Sequence, residues 1–210
     1  MDDIVRAAMA KWPNVPHCYG WLSLDARGIW RMRDERAQAL NLPGDPIRNS
    51  TLVNFINRNY LCDESGNWYF QNGPQKVYVD LLATPYIAQL LPDQSWRLHT
   101  DEIMPPAERV WMLDDGNIVC KTAQHLCQLD DRDLSLLIDD CRENQQALSE
   151  TRLLEFMSMP VLDHAASKLE VKPQVKIEVN IQGVPLILEK SSLEALMREE
   201  NYCARPRPKA

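Results

Sequence analysis

No stretch of the chain approaches the roughly 20 apolar residues that a helix needs to cross a bilayer. Its first residues, Met1-Asp2-Asp3, form neither a basic n-region nor an apolar h-region. Neither a membrane-spanning helix nor a secretory leader is expected, and the cytoplasm is the expected compartment. Positive charge is also short, with 23 Lys and Arg against 30 Asp and Glu and a formal net charge of -7. Nucleic-acid phosphates are met by Lys and Arg, so general affinity for DNA or RNA is not expected. The six cysteines (Cys18, Cys62, Cys120, Cys127, Cys141 and Cys203) include no pair two to four residues apart, the spacing of a zinc site. Without a secretory signal they are expected to be reduced, mostly buried thiols. The acidic run Asp130, Asp131, Asp133, Asp139, Asp140 lacks the central Gly and terminal Glu of a calcium loop, and reads as a solvated helix face. The expectation is no metal and no cofactor.

What the sequence does have is turns between apolar runs. With 45% hydrophobic and 25% charged residues over 210 positions, the composition is that of an ordinary globular protein, able to bury roughly 70% of its unfolded surface. The clearest stretch is residues 58 to 91. Trp68 and Phe70, then Val77, Val79 and Leu81, fall on alternate positions of two runs separated by Asn72-Gly73. This predicts a β-hairpin. Pro74 follows and has no N–H to give a ladder, which suggests a four-residue loop rather than a two-residue turn.

Along the chain, residues 2–11 pattern as a short helix, and Gly20–Asp25 with Ile29–Arg33 as a hairpin. Residues 34–46 read as a loop. Ser50 is a candidate cap for a helix over Thr51–Tyr60, and Thr84 for a short helix opening on Pro85. A further hairpin flanks Asp114-Asp115-Gly116. Asp130 and Asp131 open the longest helical pattern, which runs to about Met157, with Ser149 as a possible break. A strand over Val175–Ile181 turns at Gln182-Gly183 into Val184–Leu188. Ser191-Ser192-Leu193-Glu194 resembles a capping box for a terminal helix.

Pro92, Pro105 and Pro106 mark the best boundary. The expected organisation is an N-terminal hairpin–helix–hairpin lobe over 1–95, a C-terminal α+β lobe over 96–204 and a disordered tail over 205–210. The fold class is α+β, with antiparallel hairpins and sheets packed against helices. Three turns echo one another, at 24–30 (LDARGIW), 62–68 (CDESGNW) and 113–119 (LDDGNIV). The hairpin–helix–hairpin–helix order recurs after residue 108, as a degenerate two-fold repeat would make it.

The combination GWLSLDARGIWR, LVNFINRNY and GNWYFQNGPQKVYVDLLATPY resembles a family of small, uncharacterised bacterial proteins. The likeness covers roughly residues 12–90 well and the second half loosely. The layout is similar, more faintly, to a second uncharacterised bacterial family suspected of a signalling role, through a Gly-x-Trp hairpin and Pro46-Ile47 before a helix. Neither resemblance implies catalytic residues.

Two constellations invite chemistry. His17-Cys18 are adjacent, so on an extended chain their side chains diverge, and Cys18 lacks the base that a nucleophilic thiol needs. His125 and Cys127, with Cys120 and Cys141 on either side, lack ligand pairing. The leading expectation is therefore a non-enzymatic binding or regulatory module for a protein partner or a small ligand. The alternative is a small enzyme, hydrolytic in type, using His17 or His125 with a nearby Cys or Asp. Alternation sends Tyr69 and Gln71 to the hairpin face opposite Trp68 and Phe70. The expected recognition patch is Tyr69, Gln71 and Tyr78 on an open face, with Arg58 at its edge.

Overall fold

The computed structural model describes residues 1–160 and 176–208. The first part of the chain runs α1 (Asp3–Lys11), β1 (Cys18–Leu24), β2 (Trp30–Met32), α2 (Glu35–Ala39), β3 (Asp45–Pro46), α3 (Ser50–Arg58), β4 (Tyr60–Cys62), β5 (Trp68–Asn72) and β6 (Gln75–Leu81). The six strands form one sheet in the order β3-β2-β1-β6-β5-β4. The chain continues through β7 (Tyr86–Leu90), β8 (Trp96–Leu98), β9 (Ala107–Met112), β10 (Ile118–Thr122), β11 (Leu126–Leu129), α4 (Leu134–Asp139), β12 (Arg142–Glu143), β13 (Gln146–Ala147), α5 (Glu150–Ser158), β14 (Ile177–Ile181), β15 (Val184–Lys190) and α6 (Leu193–Glu199). The second sheet has the order β13-β12-β14-β15-β9-β10-β11-β7-β8.

The α+β class holds, and each sheet is a set of hairpins closed by parallel pairings: β1 with β6, β9 with β15, and β7 with β11. The order β3-β2-β1-β6-β5-β4 is repeated as β11-β10-β9-β15-β14-β12. In both, a first hairpin is flanked by a third strand, a helix follows, and the last strand returns parallel to the first. The repeat suspected from the turns is thus present in the strand topology. The echoing turns share one geometry. The N–H groups of Asp25, Asp63 and Leu113 donate to the carbonyls of Ile29, Asn67 and Asn117, and Gly28, Gly66 and Gly116 donate back to Asp25, Asp63 and Leu113. All three glycines hold positive φ, which completes a three-residue hairpin loop with its bulge.

Two apolar clusters hold the layers. One joins the second sheet (Val110, Ile118, Cys127, Val179) to Leu137 and Phe156 of α4 and α5. The other brings Leu22, Trp30, Phe70 and Val79 of the first sheet against Ile87, Trp111, Val119 and Leu126 of the second, with Leu196 of α6 and Tyr202 at its edge.

Several local expectations change. Residues expected as loop include α2, because Asp34 accepts the N–H of Ala37 and caps it. The cap of α3 is Asn49, which accepts from Leu52, rather than Ser50. The helix expected at Thr84-Pro85 is β7 instead. The buried Thr84 hydroxyl donates to the Tyr86 carbonyl and accepts from the Gln128 N–H, both at 2.7 Å, fastening β7 to β11. The long helix expected from Asp130 is cut into α4 and α5 by a small hairpin, since Asn144 and Gln145 both take positive φ; Ser149 does start the second piece, as its cap. Asp130 is not on a solvated face: it is buried and binds Arg132 and Gln89. α6 is capped by Ser192 bonding Ala195, so the Ser191–Glu194 box does not form. Val175 lies outside the described residues, as do residues 209–210 of the expected tail.

The division proposed at 95/96 falls within the β7–β8 hairpin, which pairs Leu90 with Trp96. The chain crosses between sheets at 82–85 instead. Arg207, from the tail expected to be disordered, pairs with Asp80, and Leu81 donates to the carbonyl of Ala204.

The hairpin at Asn72-Gly73 forms, but Asn72 is the last paired residue, opposite Gln75. The loop is therefore the two residues Gly73-Pro74, where Gly73 has φ +56°. A positive φ followed by proline has the φ signs of a type II′ turn, which needs no ladder N–H from Pro74. A Cβ at Gly73 would meet only the Ala8 methyl, at 3.8 Å. Gly73→Ala is thus expected to lose about 1 kcal/mol, from backbone conformation alone. Chemical denaturation checks this, and an unchanged midpoint would mean the turn tolerates a side chain.

Candidate functional site

The expected recognition patch is closed. Tyr69 is 8% exposed, Gln71 1% and Tyr78 7%. Tyr19 stacks on Tyr78 with ring centres 4.6 Å apart and an interplanar angle of 10°, and His17 meets the same ring edge-on. The Tyr78 hydroxyl donates to Asp63 Oδ2 at 3.2 Å, and burial pushes that phenol well above its ordinary range, followed by the negative charge of Asp63. Lys76 Nζ sits 4.3 Å from the centre of the Tyr69 ring. Gln71 donates to the Gly73 carbonyl at 2.8 Å. Arg58 is exposed but engaged with Asp2 at 3.2 Å. His17 and Tyr19, at the start of β1, cover what alternation alone left open. Tyr69, Gln71 and Tyr78 are therefore buried under a covered face rather than lying on the open face expected of them.

The same face of β6 carries Asp80, two positions beyond Tyr78, and there it opens. Asp80 is 2% exposed, so its carboxylate requires partners. Arg33, at the end of β2, donates from Nη1 to Asp80 Oδ2 at 2.7 Å. Its other guanidinium nitrogens reach the carbonyls of Leu42 and Ala37. From the opposite side Arg207 Nη1 reaches Asp80 Oδ1 at 2.8 Å. A cleft of about 430 Å³ adjoins this group, lined by Tyr19, Gly20, Gln38, Asn41 and Arg205 as well as Arg33, Asp80 and Arg207. Arg205 makes no hydrogen bond or ion pair among the described residues and is exposed. Gln38 donates to the carbonyl of Arg33, which leaves its Oε1 unengaged beside Gly20.

Four separate stretches of chain meet here: β1, residues 33–41 running through α2, β6 and the C-terminal segment. The sequence did carry a signal for it. Asp80 interrupts the apolar run Val77-Tyr78-Val79-Asp80-Leu81-Leu82 at a position that pairing must bury, and a buried charge demands a cation. No local pattern says which arginines supply it.

The histidine and cysteine candidates do not converge. His17 is exposed and touches Tyr78 rather than Cys18. The Cys127 thiol contacts Met104 Sδ and the Cys120 carbonyl, not His125, and burial pushes it up to about 12. All six cysteines are unpaired thiols. Among the described residues no group of three or more His, Cys, Asp or Glu could hold a metal ion.

His99, which the sequence did not single out, lies among the rings of Trp30, Tyr60 and Tyr86. Its Nδ1 accepts from the Ile87 N–H at 3.3 Å, while its buried Nε2 has no hydrogen-bond partner among the described residues. Burial lowers its pKa from 6.5 to about 3. The unfolded chain takes up this proton near pH 6.5 and the folded chain only near 3, so the native state is progressively penalised as pH falls through that window. The expected slope is up to about 1.4 kcal/mol per pH unit. Unfolding free energies of wild type and His99→Gln between pH 7 and 4 check it. Parallel curves would mean that His99 is protonated in the folded protein.

The fold is a pair of facing mixed sheets built from one repeated strand motif, with an arginine-rich cleft on the outer side of the first. The chain belongs to a family described as "Protein of unknown function (DUF2946)", whose model matches residues 1–207. A solved DUF1285 family protein from Silicibacter pomeroyi DSS-3 is similar over 94% of this chain and 100% of its own, at 12% identity and a TM-score of 0.48. Another, from Shewanella baltica OS155, is similar over 55% of this chain and 88% of its own, at 11% identity and a TM-score of 0.35. No curated protein matches the chain. Membership of an uncharacterised family agrees with the first resemblance in the sequence. No described helix is long and apolar enough to cross a membrane.

Proposed function

We propose that this chain is a non-enzymatic cytoplasmic binding module that holds a small anionic ligand in the cleft beside Asp80, with a regulatory rather than a catalytic role. The observation that carries this reading is Arg205. Among the described residues its guanidinium makes no hydrogen bond or ion pair, yet it borders a cleft that already holds Arg33 and Arg207. Small-ligand sites are concave and combine a few fixed polar groups with side chains from several elements, as here. Guanidinium groups favour anions because their planar N–H forks match carboxylate and phosphate oxygens.

An NMR titration of the full chain with a panel of small anions tests the reading. Amide shifts are expected to cluster at Gly20, Arg33, Gln38 and Asn41 and to saturate. Shifts scattered over surface arginines and lysines, or none at all, would remove the cleft as a ligand site.

A further inference from the structure

We propose that the ligand of this cleft is a small phosphomonoester, gripped through its phosphate by Arg205 and Arg207 together. This inference rests on the anion-binding reading above and specifies its chemistry. Charge is the first argument. Three guanidinium groups line the cleft against the single carboxylate of Asp80, so two positive charges remain for a ligand. A phosphomonoester carries about -1.5 to -2 at neutral pH, whereas a monocarboxylate carries one negative charge.

Geometry is the second. Arg205 and Arg207 flank Pro206, whose ring fixes its φ and favours extended backbone. Both of these side chains line the cleft. The open fork of Arg205 beside the fixed guanidinium of Arg207 suits a group that concentrates its charge on several oxygens of one atom. A dicarboxylate of the same charge would spread it over two separated groups. Arg33 is held at Nε, Nη1 and Nη2 by Leu42, Asp80 and Ala37, so it contributes field rather than a free fork. Arg207 is engaged with Asp80 through both Nη1 and Nη2, and Nη1 also reaches the carbonyl of Pro206, which sets its guanidinium in place as a fixed positive charge beside the open Arg205.

The body of the ligand would lie along Tyr19, Gln38 and Asn41. About 430 Å³ leaves room for an organic group behind the phosphate. Gln38 Oε1 and the Asn41 amide supply one acceptor and one mixed donor–acceptor pair for its hydroxyl or N–H groups.

The test is isothermal titration calorimetry on the full chain at low ionic strength with phenyl phosphate, inorganic phosphate, succinate and benzoate. Phenyl phosphate is expected to bind one to one, more tightly than inorganic phosphate and at least about tenfold more tightly than succinate or benzoate. Arg205→Ala, which removes no hydrogen bond or ion pair among the described residues, is expected to weaken phenyl phosphate at least about tenfold. Arg6→Ala, on the distant helix α1, is expected to leave it unchanged.

Absence of saturable phenyl phosphate binding would overturn the proposal, as would equal loss in the Arg6→Ala variant. If succinate or benzoate binds as well as phenyl phosphate and with the same dependence on Arg205, the phosphate assignment falls while the anion cleft stands. If no anion binds, both fall.

Discussion

Replacing Asp80 by Ala is expected to destabilise the protein by about 4 kcal/mol, the range found when one partner of a buried ion pair is removed. The Arg33 and Asp80 side chains are only 9% and 3% exposed. Deleting the carboxylate leaves Arg33 enclosed without its counter-charge and facing the like charges of Arg205 and Arg207. Arg33→Met should cost less, because Asp80 keeps its contact with Arg207 at 2.8 Å and methionine refills part of the volume. The double variant should recover much of the loss seen for Asp80→Ala, since an apolar replacement of both partners leaves no unpaired buried charge. Urea denaturation of the three variants decides the matter. A loss under about 1 kcal/mol for Asp80→Ala would mean that water reaches the pair freely.

The second large effect is expected at Gly66. It holds φ +77°, and a Cβ there would lie 2.1 Å from the carbonyl oxygen of Asn201 and 3.0 Å from Tyr202 Cα. These are backbone atoms, so no side chain can swing aside. The neighbouring segment is fixed by the Cys203 N–H donating to the Gly66 carbonyl at 2.9 Å. Gly66→Ala therefore combines left-handed backbone strain with an overpacked contact, about 3 kcal/mol together. The comparison with Gly73→Ala is informative, because that site carries the backbone penalty without the clash. Equal losses at the two positions would show that residues 201–204 do not lie against the β4–β5 turn in solution. The same displacement would draw Arg205 and Arg207 from the cleft, so Gly66→Ala is also expected to weaken anion binding.

How far the sequence reaches depends on the distance over which each feature is decided. The hairpins at 24–30, 62–68 and 113–119 could be read directly, since a glycine at positive φ after aspartate is a choice made within five residues. So could the II′-like turn at Gly73, except for its length: Pro74 seemed to forbid a tight loop, yet it occupies the one turn position whose N–H is not needed. Thr84-Pro85 shows the opposite case. The dipeptide is a sound helix start, but the threonine hydroxyl found a better use 44 residues away, on Gln128, and the strand won. The helix expected from residue 130 to about 157 failed because Asn144 and Gln145 accept left-handed backbone, which periodicity does not register.

The candidate site divides in the same way. Alternation correctly separated the two faces of the β5–β6 hairpin, with Phe70, Val77 and Val79 inward and Tyr69, Gln71, Tyr78 and Asp80 outward. By itself the sequence determined the α+β class, the three echoing turns at 24–30, 62–68 and 113–119, and which residues of the β5–β6 hairpin share a strand face, because steric limits on φ and the two-residue strand period act locally. Only the tertiary structure decided that Tyr19 and the segment before it would cover Tyr78, and that β6 would lie parallel to β1. It also decided that arginines at 33 and 207 would meet the carboxylate at 80, with Arg205 beside them in the same cleft. Those outcomes depend on which distant surfaces exclude water from one another, and on a buried charge finding its counter-ion anywhere along the chain.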